Sequence, residues 1–269
     1  MNNIDIYQKF LFENLSVRGA YIDISGVYQK LLSNKKHSVE EQNILSQALI
    51  NSIFLCHNKI DSGRAFLQYK NTKTNDLIVA QATSSGYVRA MLKLNSETID
   101  LSNGHLSVIY QPDAIAQHQQ SIVEVSDNDL LKSMRDYFSQ SEQTNTSLWY
   151  FKSQSRIIGI YLQQIPSFKD DYIIAKKRLN SITQDNVFKE NFNETLLDLF
   201  NEYKLNFLPT IPLKYGCENP INRFKSVIVT LGKEQAKELF NEHETIEITC
   251  DFCLKTYSFE QEDVLEILE

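Results

Sequence analysis

Glycine is scarce in this chain, with 8 residues among 269. No G-x-x-x-x-G-K-S/T, G-x-G-x-x-G or G-x-S-x-G motif occurs. Backbone cradles for phosphates and the elbow that presents a nucleophilic serine therefore have no local signature here. Histidine is equally thin. His37, His57, His105, His118 and His243 are scattered and form no H-E-x-x-H helix. These absences argue against an enzyme. Positive charge is also in deficit: 27 Lys and Arg stand against 34 Asp and Glu, a formal net charge of −7. A nucleic-acid binder would carry a basic face, so none is expected as a partner. The basic clusters at 34–37 and 176–178 are short and read as solvated surface. No run approaches about 18 apolar residues, so no membrane span is expected. The opening MNNIDIYQKFLFENL lacks the charged and apolar regions of a secretory signal. Four cysteines are too few for a secreted disulfide scaffold. A cytoplasmic location follows as the expectation, and in that reducing setting closely spaced thiols point to metal or redox chemistry.

Three segments differ in pattern. Residues 4–17 carry Ile4, Tyr7, Phe10, Leu11 and Leu15 at helical spacing, ahead of a turn at 17–19 into a strand at 20–24. Ser38-Val39-Glu40-Glu41 has the form of a capping box. Ile44, Leu45, Ala48, Leu49, Ser52, Ile53 and Cys56 then continue an apolar helical stripe. On that stripe Cys56 reads as an inert core thiol. Short apolar runs at 64–69, 77–80, 88–94 and 106–110 read as strands. They are followed by a helix over 126–140, entered through Ser126 and Asp127, and strands at 147–152 and 159–164. Residues 1–166 are thus expected to form a mixed α/β core domain with antiparallel or mixed pairing. Residues 167–212 contain no glycine, and helical spacing dominates there. Phe188, Phe192, Leu196, Leu199, Phe200 and Tyr203 line one face of an expected helix. That face reads either as ordinary core packing or as a surface held loosely enough to be released. Residues 213–269 form a small last unit, with a helix over 233–240, strands at 244–249 and 256–259, and a final helix opened by Glu260, Glu262 and Asp263. The class is α+β.

Cys250 and Cys253 form a C-x-x-C between the last two expected strands. On such a turn both sulfurs face one metal ion. A thioredoxin-like site would instead place the pair at a helix N-terminus. Cys217 and Cys250 are separated by 32 intervening residues, a spacing compatible with a two-knuckle zinc ribbon, but the Cys217 knuckle offers Tyr215 where a second sulfur would be needed. His243, Glu218, Glu244 and Asp251 are the nearby candidates for a fourth ligand, and imidazole suits zinc best among them.

Several stretches resemble one family. Phe10-Leu11-Phe12-Glu13-Asn14-Leu15-Ser16-Val17-Arg18-Gly19 is similar to its opening segment. Gly86-Tyr87-Val88-Arg89 and Asp136-Tyr137-Phe138-Ser139-Gln140-Ser141-Glu142-Gln143-Thr144-Asn145-Thr146 follow in the expected order, then Cys250-Asp251-Phe252-Cys253 with Tyr257 and Phe259. The family is that of the bacterial redox-regulated holdase chaperones, heat-shock protein thirty-three. The resemblance implies an N-terminal core, a helical linker over 167–212 and a C-terminal zinc-binding redox switch over 213–269. In the family, four cysteines hold zinc in the reduced state. Oxidation pairs them within each knuckle, expels the metal and unfolds the linker, whose apolar surface holds unfolding clients without ATP. By position, Cys217, Cys250 and Cys253 match three of the four, and Tyr215 stands at the first. The strand turn that is glycine-rich in the family is replaced here by Tyr69-Lys70-Asn71-Thr72-Lys73. The expected metal is zinc on Cys217, Cys250 and Cys253, and the expected redox disulfide is Cys250–Cys253. The expected client surface is Phe188, Phe192, Leu196, Leu199, Phe200 and Tyr203. Expected partners are unfolding or aggregation-prone proteins and, optionally, a second copy in a homodimer. Two other readings stand beside this one: a non-enzymatic interaction protein with a degenerate structural ribbon, and a thiol oxidoreductase using Cys250 and Cys253.

Overall fold

The computed structural model describes residues 5–268 other than 115, 116, 126, 167–169, 190, 233, 236, 237, 239 and 241–243. The chain divides into two compact units, 1–215 and 216–269.

The first unit is built on two sheets. In one, β1 (Ile6–Phe12), β2 (Val17–Asp23), β8 (Thr146–Lys152), β9 (Ile157–Gln164), β10 (Leu205–Phe207) and β11 (Ile211–Pro212) are joined in the order β10-β1-β2-β9-β8, with β11 also on β1. The other contains β3 (Gly63–Asn71), β4 (Leu77–Thr83), β5 (Tyr87–Lys93), β6 (Gly104–Pro112), β7 (Gln119–Val125) and β12 (Lys214–Tyr215), in the order β12-β5-β4-β3-β6-β7. All pairings are antiparallel except β12 with β5. Helices α1 (Ser25–Asn34), α2 (Val39–Lys59) and α3 (Leu130–Gln140) complete this core.

Helix α2 packs on β3, β4 and β5 of one sheet and on β2 and β9 of the other. Its start is fixed by the capping box: the Glu41 N–H donates to Ser38 Oγ (3.2 Å), and the Ser38 N–H donates to Glu41 Oε2 (2.8 Å). Beyond Ile44 the helix is buried nearly all round rather than along one stripe. Two of its buried polar residues find partners on the sheets: the Tyr161 hydroxyl donates to Asn51 Oδ1, and Ser46 Oγ pairs with the Tyr150 hydroxyl. Gly159 allows the close approach, since a Cβ there would lie 2.5 Å from Ile50 Cγ2.

The first sheet is apolar on both faces. Tyr7, Ala20, Ile22, Ile157 and Tyr161 face the α2 core. Phe10, Phe12, Val17, Tyr21, Ile158, Ile160 and Leu162 face the other way. This is the period-2 alternation of a strand, and it overturns the helix expected over 4–17. Tyr7, Phe10 and Leu11 fit helical spacing, but a strand covered on both sides shows the same apolar density. Ile4 lies outside the described residues.

The second apolar face is covered by α4 (Asp171–Leu179), α5 (Gln184–Val187) and α6 (Phe192–Leu199), which belong to the first unit. The helix expected to run through 188–203 is broken. Asn191 is extended (φ −119°, ψ 91°) and caps a new helix, so Phe188 ends α5 and Phe192 opens α6. Helix α3 starts at Leu130 on Asp129, whose carboxylate accepts from the Leu131 and Lys132 N–H groups, rather than at 126–127; Ser126 lies outside the described residues.

The second unit holds α7 (Pro220–Leu231), the hairpin β13 (Thr245–Thr249) with β14 (Thr256–Glu260), and α8 (Gln261–Leu268). Of the helix expected at 233–240, residues 234, 235, 238 and 240 are helical, and 233, 236, 237 and 239 lie outside the described residues. Phe224, Ile228, Ile246, Cys250, Phe259 and Val264 form a separate core.

One core group makes folding pH-dependent. His57 stacks on Tyr7 with ring centroids 4.7 Å apart, and neither His57 Nε2 nor the Tyr7 hydroxyl has a hydrogen-bond partner among the described residues. Burial first, and Lys9 second, push His57 from 6.5 down to about 4. Between those values the unfolded chain takes a proton that the folded one refuses, so stability falls as pH falls. The full loss is about 3 kcal/mol. In urea unfolding, the parent should lose about 2 kcal/mol more than His57→Leu between about pH 7 and about pH 5. Equal losses would show that His57 is not the acid-labile group.

Candidate metal centre

The second unit brings three sulfurs together. Cys217 Sγ lies 3.5 Å from Cys250 Sγ and 4.0 Å from Cys253 Sγ, and all three fall within 4.8 Å of one another. Two local chain reversals place them. Gly216 takes φ 141° just before Cys217, and Asn219 takes φ 45° just before α7. Past Cys250 the chain turns through Leu254 at φ 56°. The turn is closed by the Leu254 N–H donating to Cys250 O (2.8 Å) and the Cys250 N–H donating to Lys255 O (2.9 Å). The C-x-x-C therefore sits in a hairpin knuckle between β13 and β14, not at a helix N-terminus.

Cys250 is fully buried, while Cys217 and Cys253 are half-buried. A hydrogen bond with Cys217 is the strongest influence on Cys250. With the Phe252 and Cys253 N–H groups, it outweighs burial and holds the thiol well below its ordinary range. These contacts favour the Cys250 thiolate, the form that binds metal and attacks oxidants. Tyr257 feels the same negative charge: burial and then the three cysteines raise its hydroxyl.

The donor set fits a thiophilic ion. Zinc–sulfur bonds of about 2.3 Å at tetrahedral angles would separate sulfurs by roughly 3.8 Å, which the separations from Cys217 to Cys250 and Cys253, 3.5 and 4.0 Å, bracket. Among the described residues these three form the only such cluster. His243 lies outside the described residues, and Glu218, Glu244 and Asp251 do not join the group. Cys56 is far away in kind: it is buried in α2, and desolvation pushes it up to about 12.

Arg223 was not anticipated. Its Nη1 donates to Cys250 Sγ at 3.9 Å, and its guanidinium lies over the Phe224 and Phe252 rings at 5.0 and 5.9 Å. The available signal was Asn219-Pro220, since proline at N1 marks a helix start and that helix delivers residue 223. The six apolar residues expected to line the linker do converge, within the first unit. Phe192, Leu196 and Phe200 are buried in the cluster on the first sheet, and Phe188, Leu199 and Tyr203 pack at its margin. Phe192 stacks on Tyr21 at 4.6 Å, and Phe200 meets Phe12 edge-on at 4.8 Å.

Such a small unit gains stability from a bound ion. Reduced protein should take up one thiophilic divalent ion. Stripping it, or replacing Cys250 by Ser, should weaken amide protection across 216–268 while leaving α2 unchanged. Equal metal content in Cys250→Ser and the parent would show that the three sulfurs are not the site.

Comparison with known proteins agrees with this architecture. The family model described as Hsp33 protein matches residues 5–260. The 33 kDa chaperonin of Nitrosococcus oceani is 27% identical, over 99% of this chain and 95% of its own. That of Hahella chejuensis is 27% identical, over 98% and 97%. A crystal structure of the 33 kDa chaperonin of Thermotoga maritima, a heat shock protein 33 homologue, shares the fold with a TM-score of 0.76. It is 20% identical and covers 99% of this chain and 98% of that one. The mixed α and β architecture is theirs, and on the span of the family match this chain belongs to the Hsp33 family.

Proposed function

We propose that this chain is an ATP-independent holdase. It binds apolar segments of unfolding proteins and keeps them from aggregating, under partial redox control and without catalysis. The observation that carries this reading is the cover on the first sheet. Helices α4, α5 and α6 have 9, 4 and 8 residues. Isolated helices shorter than about 12–15 residues are marginal in water, so these persist only while packed. Each large apolar side chain they bury contributes about 1.5–3 kcal/mol. Detachment would expose two apolar surfaces at once: Phe188, Phe192, Leu196, Leu199, Phe200 and Tyr203 on the segment, and Phe10, Phe12, Tyr21 and Ile160 on the sheet.

The switch would be the thiolate cluster. Cys217, Cys250 and Cys253 would hold zinc, and that binding would help to keep the second unit folded. With peroxide, the Cys250 thiolate attacks the O–O bond and becomes a sulfenic acid as hydroxide leaves. Cys253 then attacks that sulfur and displaces a second hydroxide, which leaves as water, giving a Cys250–Cys253 disulfide; Cys217 stays reduced. Three ligands hold metal less tightly than four, so control would be looser and some holding activity would exist in the reduced state. A cytoplasmic setting suits such a switch. The knuckle position of Cys250 and Cys253 speaks against the oxidoreductase reading, because the pair does not open a helix as a thioredoxin-like pair does.

Light scattering of a thermally unfolding client gives the test. Reduced protein should suppress aggregation in part, and peroxide-treated protein more. The Phe192→Ser/Leu196→Ser double variant should lose most of that suppression. A double variant as active as the parent would move the client surface elsewhere.

A further inference from the structure

We propose that Arg156, immediately before β9, is the catch that fastens the α5–α6 joint to the sheet, and that the helical cover lifts there first. Its guanidinium works with two hands. On the sheet side, Nη2 donates to Asp23 Oδ2 at 2.7 Å and to the Tyr21 hydroxyl at 3.3 Å. On the cover side, Nη1 donates to the backbone carbonyls of Phe188 at 2.8 Å and Lys189 at 3.3 Å, with the Phe188 ring 5.7 Å from the guanidinium carbon.

The sheet-side hand is anchored independently of the cover. Asp23 is 7% exposed, and its other oxygen accepts from the Ser25 N–H (3.0 Å) and the Ser25 hydroxyl. Ser25 Oγ in turn accepts from the Ile157 N–H at 3.1 Å. The guanidinium is therefore held in place from below, with Nη1 aimed at the joint. By fixing the Tyr21 hydroxyl, Arg156 also sets the ring on which Phe192 stacks. One side chain thus governs the end of α5 through its carbonyls and the start of α6 through Tyr21. Other polar ties from the core reach the cover near α4 instead. The Ser16 N–H donates to Asp171, Ser147 pairs with Tyr172, and the Trp149 indole donates to Asn180. Releasing Arg156 would free the end of α5 and the start of α6, while the end of α6 stays tied to the moored α4, whose Arg178 Nη1 donates to the Leu199 carbonyl at 2.8 Å.

Arg156 is a positioning residue, touching neither the proposed client nor the thiols. Its effect on client holding rests on the function proposed above; its effect on the cover does not. The test is hydrogen exchange on full-length reduced Arg156→Ala and Arg156→Lys, read by peptide. In Arg156→Ala, amides of 184–199 should exchange faster by about tenfold or more, the loss expected of a charge-assisted hydrogen bond. Arg156→Lys should be intermediate, because lysine keeps the ion pair but cannot fork to two carbonyls. Amides of α2 and the count of titratable thiols should not change, and client suppression by reduced protein should rise. Unchanged exchange at 184–199, or acceleration of 184–199 and α2 together, would overturn the catch. A loosened cover with no rise in client holding would leave the catch standing and overturn the proposed client surface. If Arg156→Ala does not fold, Arg156→Gln carries the same criteria.

Discussion

A sheet that is apolar on both faces cannot stand in water, and the first sheet of this protein is one. Strands β1, β2 and β9 send large side chains alternately to each side, so two covers are required. One is α2, twenty-one residues long, capped at its start and buried nearly all round. The other is three short helices joined by turns. Gly19 belongs to the same constraint: it stands opposite Phe10 in the register, and a Cβ there would lie 2.0 Å from the Phe10 ring. The aromatic lies flat over the glycine and helps to form the floor on which the second cover rests.

The two covers differ in what sustains them. Helix α2 is locked by its own capping box and by polar contacts to both Tyr150 and Tyr161. Helices α4 and α6 begin without a side-chain capping hydrogen bond, and their stability is borrowed from the sheet. The second unit depends on an outside contribution in another way. Among the described residues its core holds six buried side chains, one of them Cys250, whose contacts favour the thiolate. Burying a charge costs free energy unless it is paired, so the ligands of the candidate metal centre and the packing of this unit are the same atoms.

What the sequence made legible follows from range. The capping box at Ser38, the alternating strands β3 to β6 and the knuckle at Cys250 are signals within a few residues, and all are present. The convergence of the Cys217, Cys250 and Cys253 sulfurs was legible as well, because thiols are rare here and their spacing is distinctive. Helix α1 was not. Its cap is Asp5, whose carboxylate accepts from the Gly26 and Val27 N–H groups from 21 residues upstream. Strand β7, Gln119–Val125, is mostly polar and exposed, so its pattern was silent. Strand β1 was misread because density of apolar residues does not distinguish a helix from a strand covered twice. The break between α5 and α6 and the role of Arg156 depend on partners more than 30 positions apart in the chain, beyond any local pattern.

The path of the chain gives the second cover a particular mechanical status. It leaves the sheet at the end of β9, Gln164, and returns at β10, Leu205, which pairs with β1 of the same sheet. The 40 residues between are thus a loop pinned at both ends, not a free tail. Any detachment would create a tethered arch. Its opening gains only the modest entropy of a closed loop, which grows with the logarithm of its length. Its re-docking is intramolecular, at an effective concentration fixed by the two anchors rather than by how much protein is present. Opening and closing would then be reversible within one molecule, and a bound guest would compete with the arch itself for the floor beneath.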